Sequence, residues 1–480
     1  MSLTHKIAWN TIVQIVGKII STIIGLITIA LMARYLGREG FGGYTTIIAF
    51  LQIFGILVDF GLTLMTVQMI SERADDRKRN DKILSNIFTL RLISAVTFLG
   101  IAPLVAMFFP YPAVVKLGIA LTSLSFLFIS LNQLLTGVFQ KHLRMDKITL
   151  SEILGRVGLL AAVALFIFLG KGLLWIMAAV VLGSFINFVF NWFFARSYAS
   201  IKLAFNWPVW REAIGRSWPI GISIAFNLLY FKADTVILSI FRSQAEVGLY
   251  GAPYRVLEVL ITFPFMFVGV LMPFFARWLK EKKHDDFKKL AQQGFDFMAI
   301  IAWPMVFGAL VLATPVMVFV AGNEFAESGP ILKILILATA VIYLSVLFSH
   351  IIVALNKQRK MILGYVATAV VALILYFFLI PAYGMYAAAW ITVFSEAMIA
   401  AVTFIVAYLT LKWRPSFGIS NRALFSAILM AALIYLLSAY LANVLVLIAV
   451  GALIYFIMLY ILGGIPKQLV SEILKLRRNA

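Results

Sequence analysis

The sequence predicts an all-α polytopic membrane protein, and three observations carry that prediction. Of its 480 residues, 63% are apolar and only 12% charged, about half the charged share of a soluble globular chain. The apolar residues gather into runs near the roughly 20 residues that cross about 30 Å of hydrocarbon as a helix. The charges between the runs sort by side. Backbone in lipid must satisfy its own hydrogen bonds, and runs of this length do so as helices rather than as a barrel. Water-soluble enzyme classes are excluded at this step.

In chain order the spans are 7–33, 44–70, 83–109, 115–140, 149–169, 173–197, 214–241, 248–276, 290–318, 330–354, 361–380, 384–411, 423–442 and 444–463. The separations at Lys171-Gly172 and at Asn443 are slight, which gives a range of twelve to fourteen helices. The N-terminal apolar stretch is too long for a signal-peptide core and lacks a small-residue cleavage site, so it reads as the first span. The connection 277–289 (RWLKEKKHDDFKK) reads as a surface helix, and the tail 465–480 as an amphipathic helix on the membrane.

The net charge is +20. Of 40 Lys and Arg residues, 29 fall on the N-terminus, the even-to-odd connections (with Arg196 and Arg216 at the bordering span ends) and the C-terminus; Arg34, Arg38, Lys116, Lys171 and Arg242 lie on the opposite side, and six deeper within spans. Positive residues collect on the cytoplasmic side, so both termini are expected there, in the plasma membrane. The basic balance is thus a topology signal, with some attraction to anionic lipid, and calls for no nucleic acid. Without cysteine there are no disulfides or thiolate metal sites. His5, His142, His284 and His350 form no ligand spacing, and no nucleotide-binding motif occurs, so no metal, cofactor or catalytic residue is expected.

Two turns repeat. Phe41-Gly42-Gly43-Tyr44 aligns with Val247-Gly248-Leu249-Tyr250 at an offset of 206 residues, and that offset lays spans one and two on spans seven and eight. Six helices is an even number, so the halves keep one orientation, as parallel repeats related by an axis along the membrane normal. The expected organisation is a lobe over 1–197, a linker over 198–213, a second six-helix lobe over 214–411, a helix pair over 412–464 and the tail 465–480, with a cavity between the lobes.

Ala33 to Ile47 (ARYLGREGFGGYTTI), with Gly37, Gly42 and Tyr44, resembles the first-hairpin hallmark of the polysaccharide flippases. These belong to the multidrug/oligosaccharidyl-lipid/polysaccharide exporter superfamily. Residues 234–255 (DTVILSIFRSQAEVGLYGAPYR), with Gly248 and Tyr250, resemble its second-lobe hallmark. Where many members carry an Arg near the end of the second helix, this chain has Gln68. The resemblance implies a V-shaped two-lobe bundle, a cavity lined by helices one, two, seven and eight, and a lipid-linked glycan as cargo. The final helix pair would hold the lipid tail, as in 14-helix relatives.

Ionised groups at membrane depth cost about 2.5–3.5 kcal/mol each on insertion scales and therefore face protein or water. Lys18, Lys232, Arg255 and Arg91 are the candidates for holding a diphosphate, because cations in low dielectric gain strongly from an anionic partner. Asp59, Asp234, Glu258 and Glu396 are the candidates for balancing that charge or for coupling to a proton or sodium ion. Each also has a structural reading: Arg255 with Glu258 at i,i+3, Glu152 with Arg156 at i,i+4, and Lys18 and Lys232 with the aspartates. Asp296 and Lys333 are expected to reach the interface. Trp9, Tyr44, Phe226, Tyr230 and Tyr254 are candidates for stacking on sugars.

The expected function is flipping of a polyprenyl-diphosphate-linked oligosaccharide from the cytoplasmic to the outer leaflet by alternating access. Expected partners are that substrate, membrane lipids, a coupling ion and glycan assembly machinery. A multidrug or cation antiporter of the same superfamily is the alternative. A membrane glycan polymerase or ligase is a third, disfavoured by the short external loops.

Overall fold

The computed structural model describes residues 3–72, 76–355 and 357–465, and their side chains except at 3–9, 11, 219, 220, 223, 224 and 226–230. The tail 466–480 and the side chains of Trp9, Phe226 and Tyr230 thus lie outside the described residues. The chain is helical throughout: α1 (Leu3–Asp59), α2 (Leu62–Ser71), α3 (Arg77–Ala106), α4 (Ala113–Lys141), α5 (Met145–Phe168), α6 (Leu173–Ala195), α7 (Trp207–Phe241), α8 (Gln244–Lys280), α9 (His284–Ala321), α10 (Ser328–Ala354), α11 (Ile362–Leu411), α12 (Gly418–Leu437) and α13 (Val444–Ile461). Among the described residues there is no strand.

Two of these helices contain the breaks expected between spans. α1 kinks at Gly37 (φ 64°) and α11 at Gly384 (φ 57°), in the left-handed region that glycine enters without penalty. The slight separations are real breaks: α5 ends before Gly170 (φ 63°), and Asn443 caps α13 by accepting from the amides of Leu445 and Val446 at 3.0 and 3.4 Å.

Other boundaries differ from expectation. The span 44–70 is interrupted at Phe60 and Gly61 (φ 35° and 82°). There the backbone passes so close to α7 that a Cβ on Gly61 would lie 2.9 Å from the carbonyl oxygen of Ser217. The region 277–289 is not a separate surface helix. α8 continues to Lys280 and α9 begins at His284, and Glu281 in the turn accepts from Arg277 at 2.7 Å and pairs with Lys283 at 2.9 Å.

The linker is shorter than 198–213 because α7 starts at Trp207, and its extended part lies along α3. Asp81, Ser85 and Thr89 accept the amides of Ser200, Lys202 and Ala204 at 3.1, 3.1 and 2.9 Å. Four residues of helix advance about 6 Å and two extended residues about 6.6 Å, so the two repeats match. Trp210 Nε1 donates to the carbonyl of Asn86 at 3.0 Å, fixing the start of α7.

The chain divides into two compact units, residues 1–251 with 380–384, and 252–379 with the chain from 385 onward. In the first unit, α2, α3 and α4 enclose Met69, Ile70, Ile87, Leu135 and Phe139. Asn191 donates to Asn132 at 3.0 Å and Ser125 meets Ser184 at 2.6 Å between α4 and α6. Such polar contacts contribute roughly 0.6 kcal/mol each in a membrane, where close packing rather than water exclusion joins helices. In the second unit, α9 packs on α10, α12 and α13, with Leu312, Ala427, Ile434 and Tyr455 at the centre of the α9–α12–α13 group.

The repeated turns meet inside the first unit. A Cβ on Gly42 would collide with the carbonyl oxygen of Gln244, and a Cβ on Gly248 with that of Arg38. Residues 38 and 244 stand 206 apart, as do 42 and 248. Each turn thus offers the other the same surface, the self-complementary contact of a two-fold relation.

Candidate functional site

The first unit holds most of the ionised groups expected at membrane depth, and the structure sorts them by what they touch. Lys18 lies on α1 beside a stripe of small and polar residues, Gly17, Ser21, Gly25 and Thr28, that is buried where α1 packs. Gly17 lies against Thr149 of α5, and Asn10 accepts the amide of Met145 at 2.8 Å. Contacts advance along both helices in the same sense, so α1 and α5 run parallel. Lys18 Nζ lies 3.5 Å from Glu152 Oε1, with side chains 43% and 29% exposed. Glu152 was expected to pair with Arg156 on its own helix; it reaches across to α1 instead, because α1 carries the cation on the adjoining face.

Arg91 is in the opposite condition. It is fully enclosed on α3, donates from Nη1 to the carbonyl of Ser130 at 2.8 Å and from Nη2 to Thr63 Oγ1 at 2.8 Å, and forms an ion pair with Asp59. Asp59 ends α1 immediately before the Phe60-Gly61 break and accepts from the Thr63 amide at 3.3 Å and from the Thr63 hydroxyl. The break leaves the first amides of α2 without helical partners, and a carboxylate at a helix N-terminus satisfies such donors and favours the dipole. The sequence reading grouped Arg91 with the diphosphate cations and Asp59 with the lysines. The structure instead gives each to the other, because α2 must restart where Asp59 stands.

Asp234 and Tyr250 belong to the same hallmark, and the structure explains why. Tyr250 donates to Asp234 Oδ2 at 2.5 Å, and the Thr235 amide to Oδ1 at 2.5 Å, with both Asp234 and Tyr250 fully buried. The acid fixes the tyrosine that follows the Gly248 turn. Lys232 is buried one turn-fraction earlier on α7, its Nζ 5.3 Å from the Phe231 ring centre. Tyr44 is buried beside Phe41, ring centres 5.3 Å apart.

In the second unit Arg255 Nη1 lies 2.6 Å from Glu258 Oε2, both partly exposed, the pairing that i,i+3 spacing allows. Glu396 is buried on α11. Asp296 is buried along α9, which begins earlier than expected, and accepts from Gln292 at 2.9 Å. Gln292 also holds Ser416 through both its backbone groups, at 2.8 and 2.7 Å. Thr63, Ser130 and the Glu152 partnership are the contributors that residue type and spacing did not single out.

Energetics separates these groups. Removing one member of a buried ion pair costs about 3–5 kcal/mol because the other charge stays behind, whereas a part-exposed pair such as Lys18–Glu152 contributes roughly 0–1 kcal/mol. Arg91 is therefore committed to the fold. The Lys18–Glu152 contact contributes little to the fold.

The sequence pattern of the polysaccharide biosynthesis proteins matches residues 7–279, more than half the chain. The chain belongs to this family. Among similar members of known description is an O-antigen transporter of Shigella flexneri, 23% identical over 408 residues, spanning 81% of this chain and 94% of that one. A low-salt glycan biosynthesis flippase of Haloferax volcanii is 25% identical over 177 residues, 37% of this chain and 38% of the other. In fold, this polysaccharide biosynthesis protein resembles the lipid II flippase MurJ in an inward closed conformation, with a TM-score of 0.77, 14% identity and coverage of 94% and 98%. It also resembles a multidrug resistance MATE family transporter, with a TM-score of 0.71, 14% identity and coverage of 84% and 98%. The all-helical, multi-pass membrane architecture read from the sequence is thus shared in fold with both of these transporters.

Proposed function

We propose that this polysaccharide biosynthesis protein flips a polyprenyl-diphosphate-linked oligosaccharide from the cytoplasmic to the outer leaflet of the plasma membrane, for assembly of surface polysaccharide. The observation that carries the reading is Lys18. It is a partly exposed cation deep in the first span, held by one weak carboxylate contact, in a family whose similar members are described as O-antigen and glycan transporters. The physical problem is a polar anionic head on a tail that stays in lipid. A lysine that exchanges Glu152 for a phosphate offsets the cost of bringing that head into low dielectric. Lys232, in the same unit, is proposed to add to that field, with Asp234 balancing it when no substrate is bound; Arg255 and Glu258 are proposed to play the corresponding parts within the second unit.

In this reading the basic side of the protein is cytoplasmic and both termini lie there. Two six-helix repeats, 1–197 and 214–411, alternate access, the helix pair 412–464 accommodates the lipid tail, and an ion gradient of protons or sodium supplies the energy. No residue has a catalytic role. The likeness to the lipid II flippase extends over 94% of the chain against 84% for the multidrug transporter, which supports flipping over drug antiport.

The test is a reconstituted flipping assay with a defined polyprenyl-diphosphate oligosaccharide, with and without imposed proton or sodium gradients. Lys18→Ala lowers the rate about tenfold or more, corresponding to roughly 1.4 kcal/mol of lost stabilisation, with an unchanged unfolding temperature. Wild-type rates in Lys18→Ala and in the Lys18→Ala/Lys232→Ala double variant overturn the cationic mechanism. Drug efflux without glycan movement overturns the substrate.

A further inference from the structure

A second, smaller site lies on the basic side of the first unit. A cavity of about 170 Å³ opens between the end of α2, the start of α3, the end of α4 and the turn after α6. Its floor is apolar, with Ile70, Leu84 and Val138, and its polar wall carries Arg77, Lys141 and His142. The Tyr198 ring stands against His142, ring centres 5.2 Å apart, with the Arg144 guanidinium 5.8 Å from the same ring on the connection following α4. One carboxylate, Asp81, also faces the cavity, and it accepts the Ser200 amide at 3.1 Å. Partial burial, and after it the charges of Lys141 and Arg77, hold the His142 imidazole below its ordinary pKa.

Size and position narrow the ligand. Sites for drug-sized ligands run to about 300–1,000 Å³, so this cavity is too small for a nucleotide or an oligosaccharide. It suits one phosphate with a short polar substituent. It sits where three spanning helices end, at the level where acyl chains give way to headgroups, and its floor is apolar while its rim is cationic. We propose that this cavity binds the phosphate of an anionic glycerophospholipid, a site separate from the glycan path and independent of the transport reading.

The experiment uses the full chain purified in detergent, with bound lipid counted by native mass spectrometry. The probes are phosphatidylglycerol, a phosphate-free galactosyl diacylglycerol and inorganic phosphate. Each basic residue near a membrane surface changes anion affinity about fivefold, so Arg77→Gln/Lys141→Gln weakens phosphatidylglycerol retention about 25-fold and leaves the galactolipid unchanged. Arg77→Lys/Lys141→Arg keeps retention. His142→Lys raises it about fivefold, which tests the site even where the double glutamine variant fails to fold. Protection from thermal unfolding by inorganic phosphate, lost in the glutamine variant while lipid counts stay unchanged, assigns the site to a soluble phosphate and overturns the lipid as its source. Retention unchanged in both Arg77→Gln/Lys141→Gln and His142→Lys overturns the site. Flipping does not enter the readout, so failure of the transport reading leaves this result intact.

Discussion

The α1–α5 and α1–α3 contacts each place a cation and a carboxylate within spanning helices, yet the two pairs serve different ends. Lys18 and Glu152 touch at 3.5 Å with both side chains partly exposed. Arg91 is fully enclosed where it meets Asp59, whose side chain is 20% exposed, and Thr63 and Ser130 take further donors of the arginine while a broken helix restarts on the aspartate. The difference teaches that a charge in an apolar helix is not in itself a mark of function. What separates the two is how many donors the fold has already consumed.

Breaking the enclosed pair gives the largest effect. Arg91→Met leaves Asp59 as an uncompensated charge and costs about 3–5 kcal/mol, read as a lower unfolding temperature and loss of folded yield. Arg91→Met/Asp59→Asn recovers much of that loss; a stable Arg91→Met single variant breaks the comparison. Thr63→Val is intermediate. It removes a hydroxyl that serves both charged partners and costs about 1.5–3 kcal/mol, with the unfolding temperature again the measure. Glu152→Gln is smallest, below about 1 kcal/mol, and under the proposed function it tightens the hold of Lys18 on an anionic substrate. A Glu152→Gln variant as unstable as Arg91→Met makes the two regions equivalent and removes the ground for assigning Lys18 to transport.

The helices were legible because a single property, apolar length, decides them, and so were the glycine turns at Gly37 and Gly384, where charge or proline interrupts the runs. The repeat of Gly42 in Gly248 was legible from their shared offset, but not that the two turns touch. Apart from Arg255 with Glu258, the pairings were not legible. Asp59 and Arg91 stand 32 residues apart, and only the path of two helices brings them together. The break at Phe60-Gly61 hides among apolar neighbours on both sides, because what favours it is the nearness of α7 and not any polar interruption. Asp234 and Tyr250 both lay within one recognised segment, but a separation of 16 residues crosses a turn whose angle the sequence leaves open.

The three side chains of α3 that catch the linker have a mechanical consequence. Along an extended segment successive amides point to opposite sides, so Asp81, Ser85 and Thr89 engage every second residue and leave the intervening ones untouched. A shift of the linker by one residue would turn a carbonyl group toward the acceptor-only carboxylate of Asp81 and break the amide bonds to Ser85 and Thr89, whose hydroxyls would have to turn and donate instead. A shift of two restores the fit, one helical turn along. The segment is therefore indexed like a toothed rack, and a pull on the start of α7 is passed to α3 in full until it suffices to skip a whole tooth.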